Sequence, residues 1–331
     1  KTNKFSGELK SSEEGRVFWL NREDIPQANL IWNMRELLEI FEGDEYSEFF
    51  FEYKNGSHEP GKLLGEGMTL LKQKMLDTYR FAYTYLVNML PAEMNEADLG
   101  KYFIGDRRDF ASVQDIYEQF IYSAQNYQSM PNVIKYDLRR EKIKEILLDF
   151  DVNQIQYMDV DELYYKLRTA FGVTSKDTKQ NSWRKWSRSV IDAAKFMSNF
   201  KDADDFRDFV SQFDYNRPTR MALPLLISTK ISGIGFALAC DILKELGYLN
   251  YPKPDVHLIE VFSQLGLSEG DPISVFETVV EMAEVCKEID PDSSPYKLDK
   301  IIWLICSGKF YLDNISVGRH KDDFIQYMTT R

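Results

Sequence analysis

Helical periodicity constrains the fold of this chain more than any other feature of its sequence. From Met68 onward, apolar residues recur three and four positions apart in eleven stretches, a spacing that places them on one face of an α-helix. Strand-like alternation is scarce there, and we find neither a sequence repeat nor a low-complexity tract. We therefore predict a mainly α fold for residues 68–331. The predicted helices are 68–90, 112–124, 138–150, 160–171, 184–200, 204–213, 219–229, 236–246, 255–265, 272–287 and 296–306.

The first 60 residues have a different pattern, which indicates a small α+β segment. The predicted elements are strands at Phe5–Leu9, Arg16–Leu20 and Ser47–Tyr53 and a helix at Asn33–Phe41. Pro60 and three glycines in His58–Gly67 predict a loop or linker. We expect an N-terminal segment over 1–60, followed by a helical domain over 68–331.

Cysteine usage and hydropathy limit the environment of the protein. The three cysteines, Cys240, Cys286 and Cys306, lie far apart and fit a reducing compartment better than a disulfide framework. No apolar run approaches the roughly 20 residues that cross a bilayer. Lys1–Lys10 lacks the apolar core of a signal peptide. We expect a cytoplasmic monomer without a membrane partner.

The charge is strongly acidic but unevenly distributed. A formal net charge of -12 argues against a general nucleic-acid binder, because phosphate contacts need positive potential. Residues 1–60 hold 7 Lys/Arg and 13 Asp/Glu, whereas residues 181–255 hold 11 Lys/Arg and 9 Asp/Glu. The second stretch therefore permits DNA binding without indicating it by itself.

That stretch contains a glycine hairpin between two predicted helices, Ile231-Ser232-Gly233-Ile234-Gly235. Two glycines allow a tight turn and bring backbone N–H groups to a helix N-terminus, which suits one DNA phosphate. After the next helix, a proline-containing loop leads to Asp255-Val256-His257-Leu258. Asp255 by itself is a good helix N-cap, and a Gly-x-Gly turn by itself is a weak signal. Their order along the chain is much more specific.

The ordered segment resembles the helix-hairpin-helix–GPD superfamily of base-excision DNA glycosylases, which includes endonuclease III. The resemblance spans about 112–262, where Tyr122–Asn126 is similar to the Ser-Ala-Gln segment of the superfamily. Ser232 replaces the usual hairpin proline. The resemblance implies the helix-hairpin-helix glycosylase fold, with a barrel subdomain at about 112–235 and a second subdomain from 68–110 plus 240–331.

The resemblance also implies an activity, the hydrolysis of the N-glycosidic bond of a damaged or modified base in double-stranded DNA. Asp255 would stabilise the oxocarbenium-like state and activate water after the base is flipped out. The lyase members of the superfamily carry a lysine where this chain has Ala237. We therefore expect a monofunctional glycosylase without β-lyase activity, with no iron–sulfur cluster and no required cofactor.

Further site residues are carried over from the resemblance. Gly233, Ile234, Gly235, Lys230 and His257 are expected to contact DNA, and Gln125 is the candidate wedge in the base stack. The candidate base-pocket aromatics are Tyr127, Trp183, Trp186 and Phe236. Aromatic residues at helical spacing are more often part of the core, and Gln125 would equally suit a buried backbone contact. A K⁺ or Na⁺ ion at the hairpin would be held by the backbone carbonyls of Thr229, Ile231 and Ile234.

The N-terminal residues carry a second resemblance. Phe5-Ser6-Gly7-Glu8-Leu9 and Glu13–Leu20 are similar to the C-terminal part of a Nudix hydrolase domain. The Gly-x5-Glu-x7-Arg-Glu-x2-Glu-Glu box of that family is absent, so we do not expect nucleotide hydrolysis by this chain. The chain is then either a fragment of a longer fusion or carries a degenerate docking module.

Two alternatives to the glycosylase stay open on the sequence. One is a helix-hairpin-helix protein that binds DNA without chemistry, and the other is the accessory part of a longer Nudix pyrophosphatase fusion. The identity of the excised base is also open, and so is the choice between repair and phage defence.

Overall fold

A computed structural model describes residues 24–25, 38, 46–50, 53–54, 57–58, 62–65, 70–105, 110–126 and 130–329. The chain forms two compact units, 1–74 and 75–331. The strands predicted at Phe5–Leu9 and Arg16–Leu20, and with them the Nudix-like residues, lie outside the described residues. Of the helix predicted at Asn33–Phe41, Leu38 is described, and it is helical.

The described part of the first unit holds four short strands. They are β1 (Tyr46–Phe50), β2 (Tyr53–Lys54), β3 (Ser57–His58) and β4 (Lys62–Gly65). β1 pairs antiparallel with β4, and β2 pairs antiparallel with β3. The strand prediction for Ser47–Tyr53 is largely confirmed, but the loop prediction for His58–Gly67 is wrong at β4. Glycine content indicated a loop there, whereas pairing with β1, which lies further back in the chain, makes residues 62–65 a strand.

The described residues from 70 onward form fifteen α-helices, two 3₁₀ turns and one short hairpin, and the prediction of a mainly α fold is confirmed. The helices are α1 (Leu70–Asn88), α2 (Gly100–Phe103), α3 (Val113–Ala124), α4 (Met130–Ile134), α5 (Tyr136–Ile146), α6 (Val152–Ile155), α7 (Val160–Ala170), α8 (Ser182–Met197), α9 (Ala203–Phe213), α10 (Arg217–Lys230), α11 (Phe236–Glu245), α12 (Val256–Gln264), α13 (Pro272–Cys286), α14 (Pro295–Ser307) and α15 (Lys321–Thr329). The 3₁₀ turns are Glu96–Leu99 and Leu148–Phe150, and the hairpin strands are β5 (Lys309–Phe310) and β6 (Ile315–Ser316).

Each of the eleven predicted helices has a counterpart in the structure, and the largest displacement is at 138–150. There the helix ends at Ile146, and Leu148, Asp149 and Phe150 adopt left-handed backbone angles. The unpredicted elements are α2, α4, α6, α15 and the β5–β6 hairpin. Apart from α15, each is too short for an apolar period to be seen in the sequence.

The helices that position the candidate site form two groups within the second unit. Helices α3 to α11 enclose one large apolar core, in which α8 packs against α3 and α7. Helices α12, α13 and α15 pack on α14, and α13 also contacts α10 and α11. Residues 246–255 connect the first group of helices to the second, and Asp255 is the last residue of this connection.

Candidate functional site

The glycine hairpin joins α10 to α11 as the sequence predicts. Ile231 and Ile234 are buried and anchor it, and the N–H of Ile234 donates to the carbonyl of Ile231 at 3.2 Å. Gly233 has a φ of +83°, which favours glycine, and Gly235 is the N-cap of α11. The first N–H groups of α11 therefore point away from the helix beside the turn.

Helix α8 holds the hairpin from one side. The hydroxyl of Ser189 donates to the carbonyl of Ser232 at 2.6 Å, and the carboxylate of Asp192 accepts from the N–H of Ser232 at 3.2 Å. A Cβ at Gly233 would lie 2.8 Å from the Ser189 hydroxyl, whereas a Cβ at Gly235 would meet no heavy atom within 4 Å. The close approach of α8 therefore requires glycine at 233, in addition to its backbone angle.

A pocket of about 450 Å³ lies between α8 and the hairpin. It is lined by Ala124, Met130, Lys185, Arg188, Ser189 and the hairpin residues Ser232, Gly233, Ile234 and Gly235. Arg188 is exposed and Lys185 is half-buried, and Thr229 and Lys230 are exposed where α10 ends. Cationic side chains beside a helix N-terminus provide the chemistry of an anion site.

Asp255 is the N-cap of α12. Its Oδ1 accepts from the N–H of His257 at 2.9 Å and from the N–H of Leu258 at 3.3 Å. Its Oδ2 receives no hydrogen bond from the part of the chain that the structure describes. Asp255 is half-buried, and the two hydrogen bonds to Oδ1 fix the orientation of its carboxylate.

The surroundings of Asp255 raise the pKa of its carboxyl above the ordinary value. Burial is the largest cause, and the negative charge of Asp299 adds to it. His257, the N–H of Leu258 and Lys253 act in the opposite direction without outweighing these effects. When ionised, Asp255 is therefore a stronger base than an ordinary aspartate.

A buried charge cluster, formed by Asp241, Lys244, Lys253 and Asp299, adjoins the Asp255 segment. Asp299 Oδ2 accepts from Lys244 Nζ at 2.9 Å and from the backbone N–H of Lys253 at 2.9 Å. Lys253 Nζ donates to Asp241 Oδ2 at 2.9 Å, and Lys244 Nζ lies 3.4 Å from Asp241 Oδ1. Sequence reasoning missed this cluster, since only the pair Asp241 and Lys244 is close enough along the chain to be noticed.

Within the cluster, neighbouring opposite charges outweigh the effect of burial at Lys244 and at Asp241. Burial lowers the pKa of the Lys244 ammonium, but the carboxylates of Asp299 and Asp241 outweigh this effect and raise it. Burial likewise raises the pKa of Asp241, but the ammonium groups of Lys244 and Lys253 hold it below the ordinary value. The two lysines and two aspartates are therefore mutually neutralising.

Two of the predicted polar site residues, Gln125 and His257, differ in how far the protein buries them. The side chain of Gln125 is only 4% exposed, and its Oε1 accepts from the backbone N–H of Tyr136 at 3.2 Å. This contact matches the structural role considered for Gln125, and its role as a wedge stays a prediction. His257 is half-buried, and its Nδ1 is buried without a partner among the described residues.

The predicted base-pocket aromatics lie in different surroundings. Trp183 and Trp186 are fully buried; Trp183 stacks on Phe171 with 5.3 Å between ring centroids, and Trp186 Nε1 donates to the carbonyl of Ile121 at 2.9 Å. Phe236 is half-buried beside the hairpin and packs edge-on against Phe276. Tyr127 lies outside the described residues. In this arrangement both indoles are part of the core, and Phe236 is nearer the surface.

The backbone carbonyls proposed for a monovalent cation lie at the hairpin, with that of Ile231 already accepting from Ile234. Binding of K⁺ or Na⁺ there stays a prediction. Across the described ranges, no three His, Cys, Asp or Glu side chains are grouped as metal ligands would be. None of the described helices combines the length and apolar character needed to cross a membrane.

Comparison with protein-family models, with curated proteins and with solved structures gave no match to this chain.

Proposed function

We propose that this chain is a monofunctional DNA glycosylase, which hydrolyses the N-glycosidic bond of a damaged or modified base in double-stranded DNA. The observation that carries the proposal is the carboxylate of Asp255. The N-terminus of α12 fixes its Oδ1, while Oδ2 has no partner among the described residues. It follows the glycine hairpin in the order that the glycosylase superfamily shares.

The position of Asp255 suits the chemistry of base removal. Departure of the base leaves positive charge on the sugar, and a half-buried carboxylate stabilises that charge more strongly than one in bulk water. The raised pKa of Asp255 makes its ionised form a better base toward an attacking water. Because α12 already holds Oδ1, the group needs little rearrangement during the reaction.

The hairpin supports a DNA partner. Its N–H groups, together with Lys185 and Arg188 of the pocket lining, offer local positive charge on a chain whose net charge is -12. One phosphate at this pocket would hold the duplex while the base is flipped out.

The lysines near Asp255 support hydrolysis without lyase chemistry. Ala237 occupies the first turn of α11 and cannot form a Schiff base. Lys253 Nζ is paired with Asp241, and Lys244 Nζ is buried against Asp299. Ammonium groups held in this way are poor nucleophiles, so we expect an intact abasic site as the product.

The proposal is tested by excision assays on duplexes that each contain one damaged or modified base. The variants are Asp255→Asn and, as a matched control, Asp271→Asn. Asp271 caps α13 in the same way, accepting from the N–H groups of Ile273 at 2.9 Å and Ser274 at 3.1 Å. We expect alkali-dependent cleavage of one substrate, lowered on the order of 100-fold or more in Asp255→Asn and retained in Asp271→Asn.

Two other results of these assays would contradict the proposal. DNA binding without excision across the panel would favour the non-catalytic helix-hairpin-helix protein, in which Asp255 serves only as a cap. Strand cleavage without alkali would mean that an amine attacks the sugar, and the monofunctional assignment would be wrong.

A further inference from the structure

Asp299 is a buried carboxylate that the proposed chemistry does not use. It lies on α14, is 2% exposed, and accepts from Lys244 Nζ of α11 and from the backbone N–H of Lys253. Lys253 stands two residues before Asp255. Asp299 therefore connects α14 and α11 directly to the segment that carries the candidate catalytic carboxylate.

We propose that Asp299 is a positioning residue for Asp255: it anchors the Lys253–Asp255 segment and places a fixed negative charge beside the Asp255 carboxylate. This inference rests on the proposed function, because it assigns Asp299 a role in the same site.

The backbone of the segment explains why one side chain can anchor it. Pro252 and Pro254 have no N–H, so Lys253 provides the backbone donor between them. Asp299 accepts that donor at 2.9 Å. Three residues before Asp299 on the same helix, Tyr296 donates its N–H to the carbonyl of Leu249 at 3.1 Å. Helix α14 therefore contacts the connection that leads to Asp255 at two residues, Leu249 and Lys253.

The charge of Asp299 acts on Asp255 together with a small set of other groups. From α14, Asp299 and Cys306 face it; Lys253 faces it from the segment, and His257 from α12. Burial, with the charge of Asp255, raises the pKa of the Cys306 thiol to about 12, so Cys306 stays neutral near pH 7. The Glu260–Lys321 pair, which joins α12 to α15, and Asp322 act on Cys306.

Among the charged groups acting on Asp255, Asp299 raises its pKa, whereas Lys253 and His257 lower it. Lys244 Nζ donates to Asp299 Oδ2 at 2.9 Å and holds this carboxylate in place next to the Lys253–Asp255 segment. Asp299, held by Lys244, therefore contributes to the basicity of Asp255.

The test compares the pKa of Asp255 in the full chain and in Asp299→Asn. Aspartate carboxyls are labelled with ¹³C and titrated by NMR, and the Asp255 signal is identified by its loss in Asp255→Asn. We expect the pKa of Asp255 to fall in Asp299→Asn and to return toward the original value in Asp299→Glu. Asp290→Asn is the matched control, since Asp290 pairs with Lys297 at 2.6 Å outside the buried charge cluster.

A second variant keeps the test decisive if Asp299→Asn does not fold. Lys244→Met combined with Asp299→Asn removes both partners, so no unpaired buried ammonium is left. We expect the same fall in the pKa of Asp255. An unchanged Asp255 pKa in a folded variant, or an equal fall in Asp290→Asn, would overturn the inference.

The pH profile of excision separates this inference from the proposed function. If Asp255 acts as the ionised base, the acidic limb of the profile should move to lower pH in Asp299→Asn. A lowered Asp255 pKa with an unmoved limb, or with no excision by the original chain, supports the role of Asp299 toward Asp255 and contradicts the assignment of Asp255 as the catalytic carboxylate.

Discussion

Asp255 and Asp271 have the same local role as helix N-caps, but the pKa values of their carboxyls are shifted in opposite directions. Asp255 and Asp271 each cap a helix with Oδ1 and accept from two backbone N–H groups. Hydrogen bonds from the side chain and the backbone N–H of Ser274 hold the pKa of the exposed Asp271 below its ordinary value. Burial and Asp299 raise the pKa of Asp255 instead. Two N-cap aspartates with the same hydrogen-bond pattern can therefore have opposite effects on stability. Whether the ionised carboxylate stabilises the folded state depends on its burial and on the neighbouring charges.

We predict opposite stability effects for Asp255→Asn and Asp271→Asn at pH 7. The raised pKa of Asp255 means that the folded state binds its proton more tightly than the unfolded state. Asp255 thus stabilises the folded state fully below the pKa that its carboxyl has in the unfolded chain. This stabilisation is lost as the pH rises through the pKa of the folded state. Asparagine caps helices about as well as aspartate, so Asp255→Asn should be at least as stable as the original chain.

For Asp271 the sign is reversed. Its lowered pKa contributes stability above the unfolded value, and this is lost as the pH falls through the folded pKa. Asp271→Asn should therefore be less stable at pH 7. Urea denaturation at pH 7 and at acidic pH measures both differences, and a clear loss of stability in Asp255→Asn at pH 7 would contradict the account given for Asp255.

At the element scale, the helix pair α10–α11 depends on how closely α8 approaches its turn. Ser189 and Asp192 of α8 bind the backbone of Ser232, and the buried Trp183 and Trp186 secure α8 in the core. The same helix presents Lys185 and Arg188 to the hairpin pocket. One element thereby fixes the geometry of the turn and supplies its positive charge.

We predict that Gly233→Ala lowers the free energy of unfolding by about 1–2 kcal/mol, because alanine is strained at a positive φ. Contact of its Cβ with the Ser189 hydroxyl would also disturb the hairpin. Gly235→Ala is the control, since Gly235 has a φ of −82° and its added Cβ meets open space. Urea denaturation should show the smaller loss for Gly235→Ala; equal losses would mean that the turn is not clamped as described.

Viewed as a whole molecule, this acidic chain carries two cationic residues, Lys185 and Arg188, at its hairpin pocket. The net charge is -12, so non-specific attraction to DNA should be weak. If the chain binds DNA as proposed, binding depends on these few cations around the hairpin in the unit 75–331. Such a protein should engage DNA at one place and be sensitive to the loss of single charges there.

We predict that Arg188→Ala weakens duplex binding and lowers the salt dependence of the affinity by about one phosphate contact, a change of roughly 0.9 in the slope of log K against log salt. Lys201→Ala is the control, because the Lys201 side chain is 88% exposed on the loop before α9. Fluorescence anisotropy at several salt concentrations measures both slopes. An unchanged slope in Arg188→Ala would remove Arg188 from the DNA contact.

Eleven of the helices and the glycine hairpin could be predicted from the amino-acid sequence, because their signals are local. An apolar period is visible within about two turns, and a glycine pair marks a tight turn wherever it lies. The N-cap role of Asp255 was readable for the same reason. Tertiary structure alone decided that Asp299, 44 residues after Asp255, supplies the charge beside it. It also decided that β4 pairs with β1 and that Gln125 is enclosed, because burial and long-range pairing depend on which helices and strands meet.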